Sequence, residues 1–142
     1  MTTPLWCLLG FAAWTLLLVL GVVTWRSAMV LRGEKAANEF LAGVPHGPEL
    51  YWRLNRAHLN AVENLPVLAA IVLVAHVAGV QSGAFDALAL VHLGARVVQT
   101  LCHLASNAVP VVMVRFTGLM VQLGCLVGMV AVLVKTTGTG DH

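Results

Sequence analysis

The chain has 142 residues, 59% of them hydrophobic and 10% charged, with a formal net charge of +2. A soluble domain carries about a quarter charged residues, so composition excludes a water-soluble globule, and so apolar a chain does not stay disordered. The 8 basic residues are scattered and form no strip able to track a phosphate backbone, so no nucleic-acid partner is expected. An integral membrane protein remains, and at roughly 20 apolar residues per spanning helix the length holds about four spans.

Leu5 to Trp25 form a charge-free stretch that ends at Arg26, Arg32 and Lys35. The start, Met-Thr-Thr-Pro, lacks a positive n-region, and the apolar run exceeds the roughly 7 to 15 residues of a signal-peptide core. The first span is therefore a retained helix over 5–25. The stretch 32–56 holds Gly33, Gly43, Pro45, Gly47 and Pro48 among many charges and reads as a polar loop. A second span covers 53–80 and is interrupted by Glu63, and Gln81-Ser82-Gly83 turns the chain into a third span, 84–105, with Arg96 in its middle. Ser106 to Pro110 break the pattern before a fourth span, 114–134, that ends at Lys135 and a Thr/Gly tail. Period-2 alternation is missing, which argues against a membrane barrel. The fold predicted is all-α, a four-helix membrane bundle forming one domain over 1–142. Basic residues flank the first and third loops, so these loops face the cytoplasm and both termini face away from it. Compact loops suit a bacterial inner-membrane protein.

Ionisable groups at membrane depth cost a few kcal/mol each and mark candidate sites. Arg53, Arg56, Asn60 and Glu63 occupy an arc of about 80° on the second span. Arg56 and Glu63 lie two turns apart and cannot pair as i,i+4 neighbours do, so each needs a partner from another helix, another subunit or a ligand. His92, Arg96, Gln99 and His103 make a similar stripe on the third span, with Asp86 on another face. On the fourth, Arg115, Gly118, Gln122 and Cys125 align. Three such stripes are expected where helices converge on a shared polar site. The plainer alternative is that Glu63 neutralises Arg96 inside the bundle while the end arginines snorkel to headgroups.

His58 and His76 lie opposite the second-span stripe without the spacing of metal ligands, and no metal site is expected. Cys7, Cys102 and Cys125 read as packing residues. Trp6, Trp14, Trp25 and Trp52 read as interfacial or packing aromatics, and Gly124-xxx-Gly128 permits close helix contact.

The segment Arg56-Ala57-His58-Leu59-Asn60-Ala61-Val62-Glu63-Asn64 resembles the signature of the MAPEG family, the membrane-associated proteins in eicosanoid and glutathione metabolism. Third-span Arg96, Gln99 and His103, followed by Arg115 near the next helix start, extend the resemblance over nearly the whole chain. It implies a homotrimer of four-helix subunits that binds glutathione between neighbours near the cytoplasmic face. By this resemblance Arg56, Asn60 and Glu63 belong to the glutathione site, with Arg53, Arg96 and Gln99 beside them, and Arg32 matches a first-helix arginine that also contacts it. Arg115 matches the arginine that stabilises the thiolate, with His103 standing where family enzymes usually place a tyrosine. Glutathione presents two carboxylates, an amine and a thiol, so arginines, a carboxylate such as Glu63 and a cation near sulfur suit it. At a helix N-terminus, Arg115 would be reinforced by the helix dipole.

The function implied is a glutathione-dependent membrane enzyme, a transferase or peroxidase, acting on lipophilic electrophiles that enter from membrane lipid. The alternatives are a non-catalytic lipid-binding or scaffold member of the same fold, and a small proton-coupled exporter with Glu63 as its carrier carboxylate.

Overall fold

The computed structural model describes residues 1–40 and 47–138, so Gly43, Pro45 and the last residues of the Thr/Gly tail lie outside the described residues. Four helices follow one another: α1 (Thr3–Leu31), α2 (Glu49–Val77), α3 (Gly83–Ala105) and α4 (Val109–Gly138). All four are long and apolar enough to cross a membrane. α1 and α4 overrun the predicted apolar stretches at both ends, α3 nearly coincides with its stretch, and α2 starts earlier than predicted and ends at Val77 rather than at Val80. At 1.5 Å per residue the 29 residues of α1 reach about 43 Å, against about 30 Å of hydrocarbon, so the helix ends stand in the headgroup region.

Two helix starts differ from the sequence reading. The second helix begins at Glu49 behind Pro48, which places Arg53 and Arg56 inside it rather than at its edge. The fourth begins at Val109 rather than near Val114, because Pro110 falls in the first turn, where its missing N–H has no intrahelical acceptor to lose. The break predicted over Ser106 to Pro110 thus shrinks to Ser106–Ala108. Arg115 is about two turns into α4, beyond the first turn over which the helix dipole acts, so the dipole support expected for it is not available.

Local chemistry ends the helices. Gly33 (φ 69°) and Gly79 (φ 68°) adopt the left-handed conformation that glycine takes without steric cost. Behind them, Glu34 N donates to Met29 O and Val80 N donates to Ala75 O, each at 3.0 Å, closing Schellman motifs on α1 and α2. Ser82 caps α3, its hydroxyl accepting from Phe85 N at 3.5 Å.

In cross-section the bundle is a diamond. α2 and α3 touch each other and both flanking helices, whereas α1 and α4 do not meet. Ala57, Ala61, Ala75 and Ala89 are buried and let the backbones approach, and Phe11, Leu68, Val72, Phe85 and Met129 fill the remaining core. Gly128 supports the α3–α4 contact, since a Cβ there would stand 3.1 Å from Leu88 Cδ1, whereas Gly124 faces open space. The outside is apolar, with Leu16, Leu17, Leu90 and Val127 at least half exposed, while Arg96, Gln99 and Gln122 are buried. That inversion is what hydrocarbon requires of a solvent-facing surface.

Candidate functional site

The first half of α2 presents Arg56, Leu59, Asn60 and Glu63, and these four line a recess of about 260 Å³ with His103, from the last turn of α3. Helical spacing accounts for the α2 wall. Asn64, one turn beyond Asn60, donates to the Asn60 carbonyl at 2.9 Å and reaches its side-chain oxygen at 3.4 Å, which restrains the Asn60 amide. Arg56 and Glu63 are exposed and neither has an ion-pair partner among the described residues. The recess therefore offers one free cation, one free carboxylate and an amide along about two turns of helix.

Arg115 of α4 adjoins this recess through His103. Its Nη1 lies 3.2 Å from His103 Nδ1 and donates to Asn107 Oδ1 at 3.5 Å. A guanidinium carries donors only, so the ring nitrogen facing it must accept. His103 is then neutral, with its proton on Nε2. Asn107 Nδ2 in turn donates to Glu49 Oε1 at 3.0 Å. Arg53 donates to the Ala105 carbonyl at 3.2 Å and stands 3.9 Å from Glu49. These contacts tie the short α3–α4 link to the start of α2 and brace the rim of the recess.

The third-span stripe divides. His103 reaches the recess, but His92, Arg96 and Gln99 point into the bundle, 0%, 1% and 3% exposed. Arg96 Nη1 donates to Gln99 Oε1 at 3.0 Å, and its guanidinium lies 5.2 Å from the centre of the Phe11 ring, a cation–π contact. Gln122 Nε2 donates to the same Gln99 oxygen at 3.0 Å. Within this single chain the three stripes do not meet in one recess. Two polar assemblies form, a recess open to the outside and a closed layer within the bundle. The plainer alternative is corrected, because Arg96 is held by an amide and an aromatic face, and no ion pair joins it to Glu63 among the described residues. Arg32 is apart from both, exposed on the loop after α1 and 3.9 Å from Glu34.

The model of the MAPEG family matches residues 3–135, nearly the entire chain. The chain belongs to the MAPEG family. No curated protein matches it. Membership assigns this MAPEG protein, at the level of the family, to membrane proteins of glutathione or eicosanoid metabolism. Three polar residues of this MAPEG protein had no role in the sequence reading: Asn107, which bridges Arg115 to Glu49, Glu49 itself, and Asn64, which restrains Asn60. For Asn64 the i,i+4 spacing within the motif was a usable signal. For Asn107 there was none, since a residue in a supposed chain break carries no periodicity.

Proposed function

We propose that this MAPEG protein binds glutathione in the recess and activates its thiol for attack on lipophilic electrophiles, as a transferase or peroxidase. The observation that carries the reading is that Arg56, Asn60, Glu63 and His103 line one recess in which both charges lack ion-pair partners among the described residues. A ligand with carboxylates and an amine is complementary to that pair, and charge-assisted hydrogen bonds are the strong ones. Glu63 takes the amine and Arg56 a carboxylate. Arg115 stands beside His103 as the cation nearest the expected sulfur position.

A thiol of pKa about 8.5 is mostly protonated at neutral pH, and a neighbouring guanidinium favours the thiolate. Arginine cannot accept the proton, which leaves to water. The Nε2–H of His103 supplies the donor to sulfur that a tyrosine hydroxyl would otherwise provide. The thiolate then forms a C–S bond to the electrophilic carbon as the leaving group departs with its electron pair. The assembly is a homotrimer, with a neighbouring copy supplying Arg32 to the recess. It lies in a bacterial inner membrane, with the recess on the cytoplasmic side, where Arg26, Arg32, Lys35, Arg53 and Arg56 gather.

Calorimetry of the purified protein with glutathione, oxidised glutathione and a thiol-free analogue tests the reading. Glu63→Gln is expected to weaken glutathione binding by about 1 to 3 kcal/mol, the range for a lost charged hydrogen bond. Unchanged affinity in both Glu63→Gln and Arg56→Ala would refute it. A second reading, a lipid-binding member without turnover, is favoured by the engagement of the Arg115 guanidinium with His103 and Asn107. It predicts glutathione or lipid binding with no conjugate formed from any electrophile.

A further inference from the structure

Gln122 is fully buried in α4 and lines no part of the recess. Its Nε2 donates to Gln99 Oε1 and to the Gly118 carbonyl, both at 3.0 Å. Gln99 Oε1 also accepts from Arg96, while Gln99 Nε2 donates to the main-chain carbonyl of Arg115 at 3.1 Å. These partners fix how the Gln99 amide is turned. Arg96 and the Gln122 amide nitrogen are donors, so both must face the oxygen, and the NH₂ is left for the Arg115 carbonyl. With the amide reversed, three donors would be opposed and the carbonyl unpaired.

The beginning of α4 has few other attachments. Val109, Met113, Val114 and Phe116 are exposed. At Gly118 the helix meets α3 without a side chain of its own, and an added Cβ would rest 3.5 Å from Gln99 Cβ, an ordinary contact. Small-residue packing of this kind brings the two helices close but has no directional group of its own at that level. The buried amides are directional, and they join α3 to the backbone of Arg115 itself. We propose that Gln122 is a positioning residue: by orienting Gln99, it sets the α3–α4 register that holds the Arg115 guanidinium on His103 at the edge of the recess. The register stands on geometry alone, whereas its consequence for a thiol rests on the glutathione reading above.

The test uses the full chain in nanodiscs and two variants. Gln122→Met keeps the length and removes both hydrogen bonds, and Gln122→Asn keeps a buried amide but shortens the arm by one methylene, so one reports if the other fails to fold. Nitrogen NMR of labelled histidine reads the His103 tautomer without any ligand. The wild type is expected to show Nε2–H alone and the variants a mixture. With glutathione bound, the ultraviolet thiolate titration should move up by about one pH unit, a tenfold loss of thiolate at fixed pH. Glutathione affinity, set by Arg56 and Glu63, should change less than about threefold, a small step on a scale where tenfold is 1.4 kcal/mol. A His103 spectrum identical to wild type in the folded variants overturns the proposal, even if their melting temperatures fall, because that would be a purely structural role. If wild-type glutathione forms no thiolate, the glutathione reading falls, and the His103 spectrum still decides the positioning role.

Discussion

Arg115 and His103 form a donor–acceptor pair in which each limits what the other can do. The guanidinium has only protons to give, so the imidazole nitrogen beside it accepts, and the far nitrogen becomes a donor. Arg115→Ala removes both the cation and the constraint on the tautomer. It is expected to move the thiolate titration of bound glutathione towards that of free glutathione, and identical titrations in variant and wild type would remove Arg115 from the chemistry. Tyrosine at position 103 could meet both demands, because a phenol accepts from Arg115 and donates to sulfur through one oxygen. A rise in conjugation rate in His103→Tyr would show that the native imidazole is the weaker donor. Equal rates in an active wild type would show that Nε2–H already fills the role. Glu63 and Arg56 differ in kind, since neither has an ion-pair partner among the described residues.

At the scale of the helices, the α3–α4 pair is the most extensive contact in the bundle and carries both the buried amide layer and the Gly128 notch. Gly128 admits Leu88 at a distance that no larger residue allows without displacement. Gly128→Leu is expected to destabilise the bundle by about 1 to 3 kcal/mol, the usual cost of overpacking a filled contact, measured by denaturation in detergent. Gly124→Leu, on the open side of the same helix, is the comparison and should cost less than about 0.5 kcal/mol, as surface changes do. Equal losses would show that Gly124 also meets a neighbour, and that the notch at Gly128 is not what distinguishes the two glycines. The early start of α4 matters at this scale too: by placing Arg115 about two turns inside the helix, it transfers the work of orienting that arginine from the helix dipole to Gln99 and Asn107.

For the whole molecule, the diamond leaves α1 and α4 at opposite corners, each with a broad unpartnered apolar face. The recess lies at the end of the bundle shared by the first and third loops, with Arg56 and Glu63 exposed and without ion-pair partners among the described residues. Charges at an interface favour a closed assembly that supplies partners over an open one that leaves them unpaired. Native mass spectrometry from nanodiscs is expected to show three chains, with glutathione retained by the trimer. A stable monomer that binds glutathione as tightly would place the site within one subunit.

The architecture was legible in the sequence, because hydrocarbon imposes one rule on every stretch of chain that enters it: backbone groups must be satisfied internally, which long apolar helices do. The family motif was legible for a related reason, since Arg56, Asn60 and Glu63 lie on one helix, and their common face follows from 100° per residue whatever surrounds them. The partition of the third-span stripe was not legible. His92, Arg96, Gln99 and His103 share a face, but whether that face meets a recess or a neighbouring helix changes along its length, as α4 covers Gln99 while His103, half-buried beside Arg115, still lines the recess. Periodicity reports direction around one helix axis and nothing about where the next helix begins or crosses. Only the tertiary structure, by starting α4 at Val109 and joining it to α3 through Gln99, decided which polar residues are held inside the bundle and which can meet a ligand.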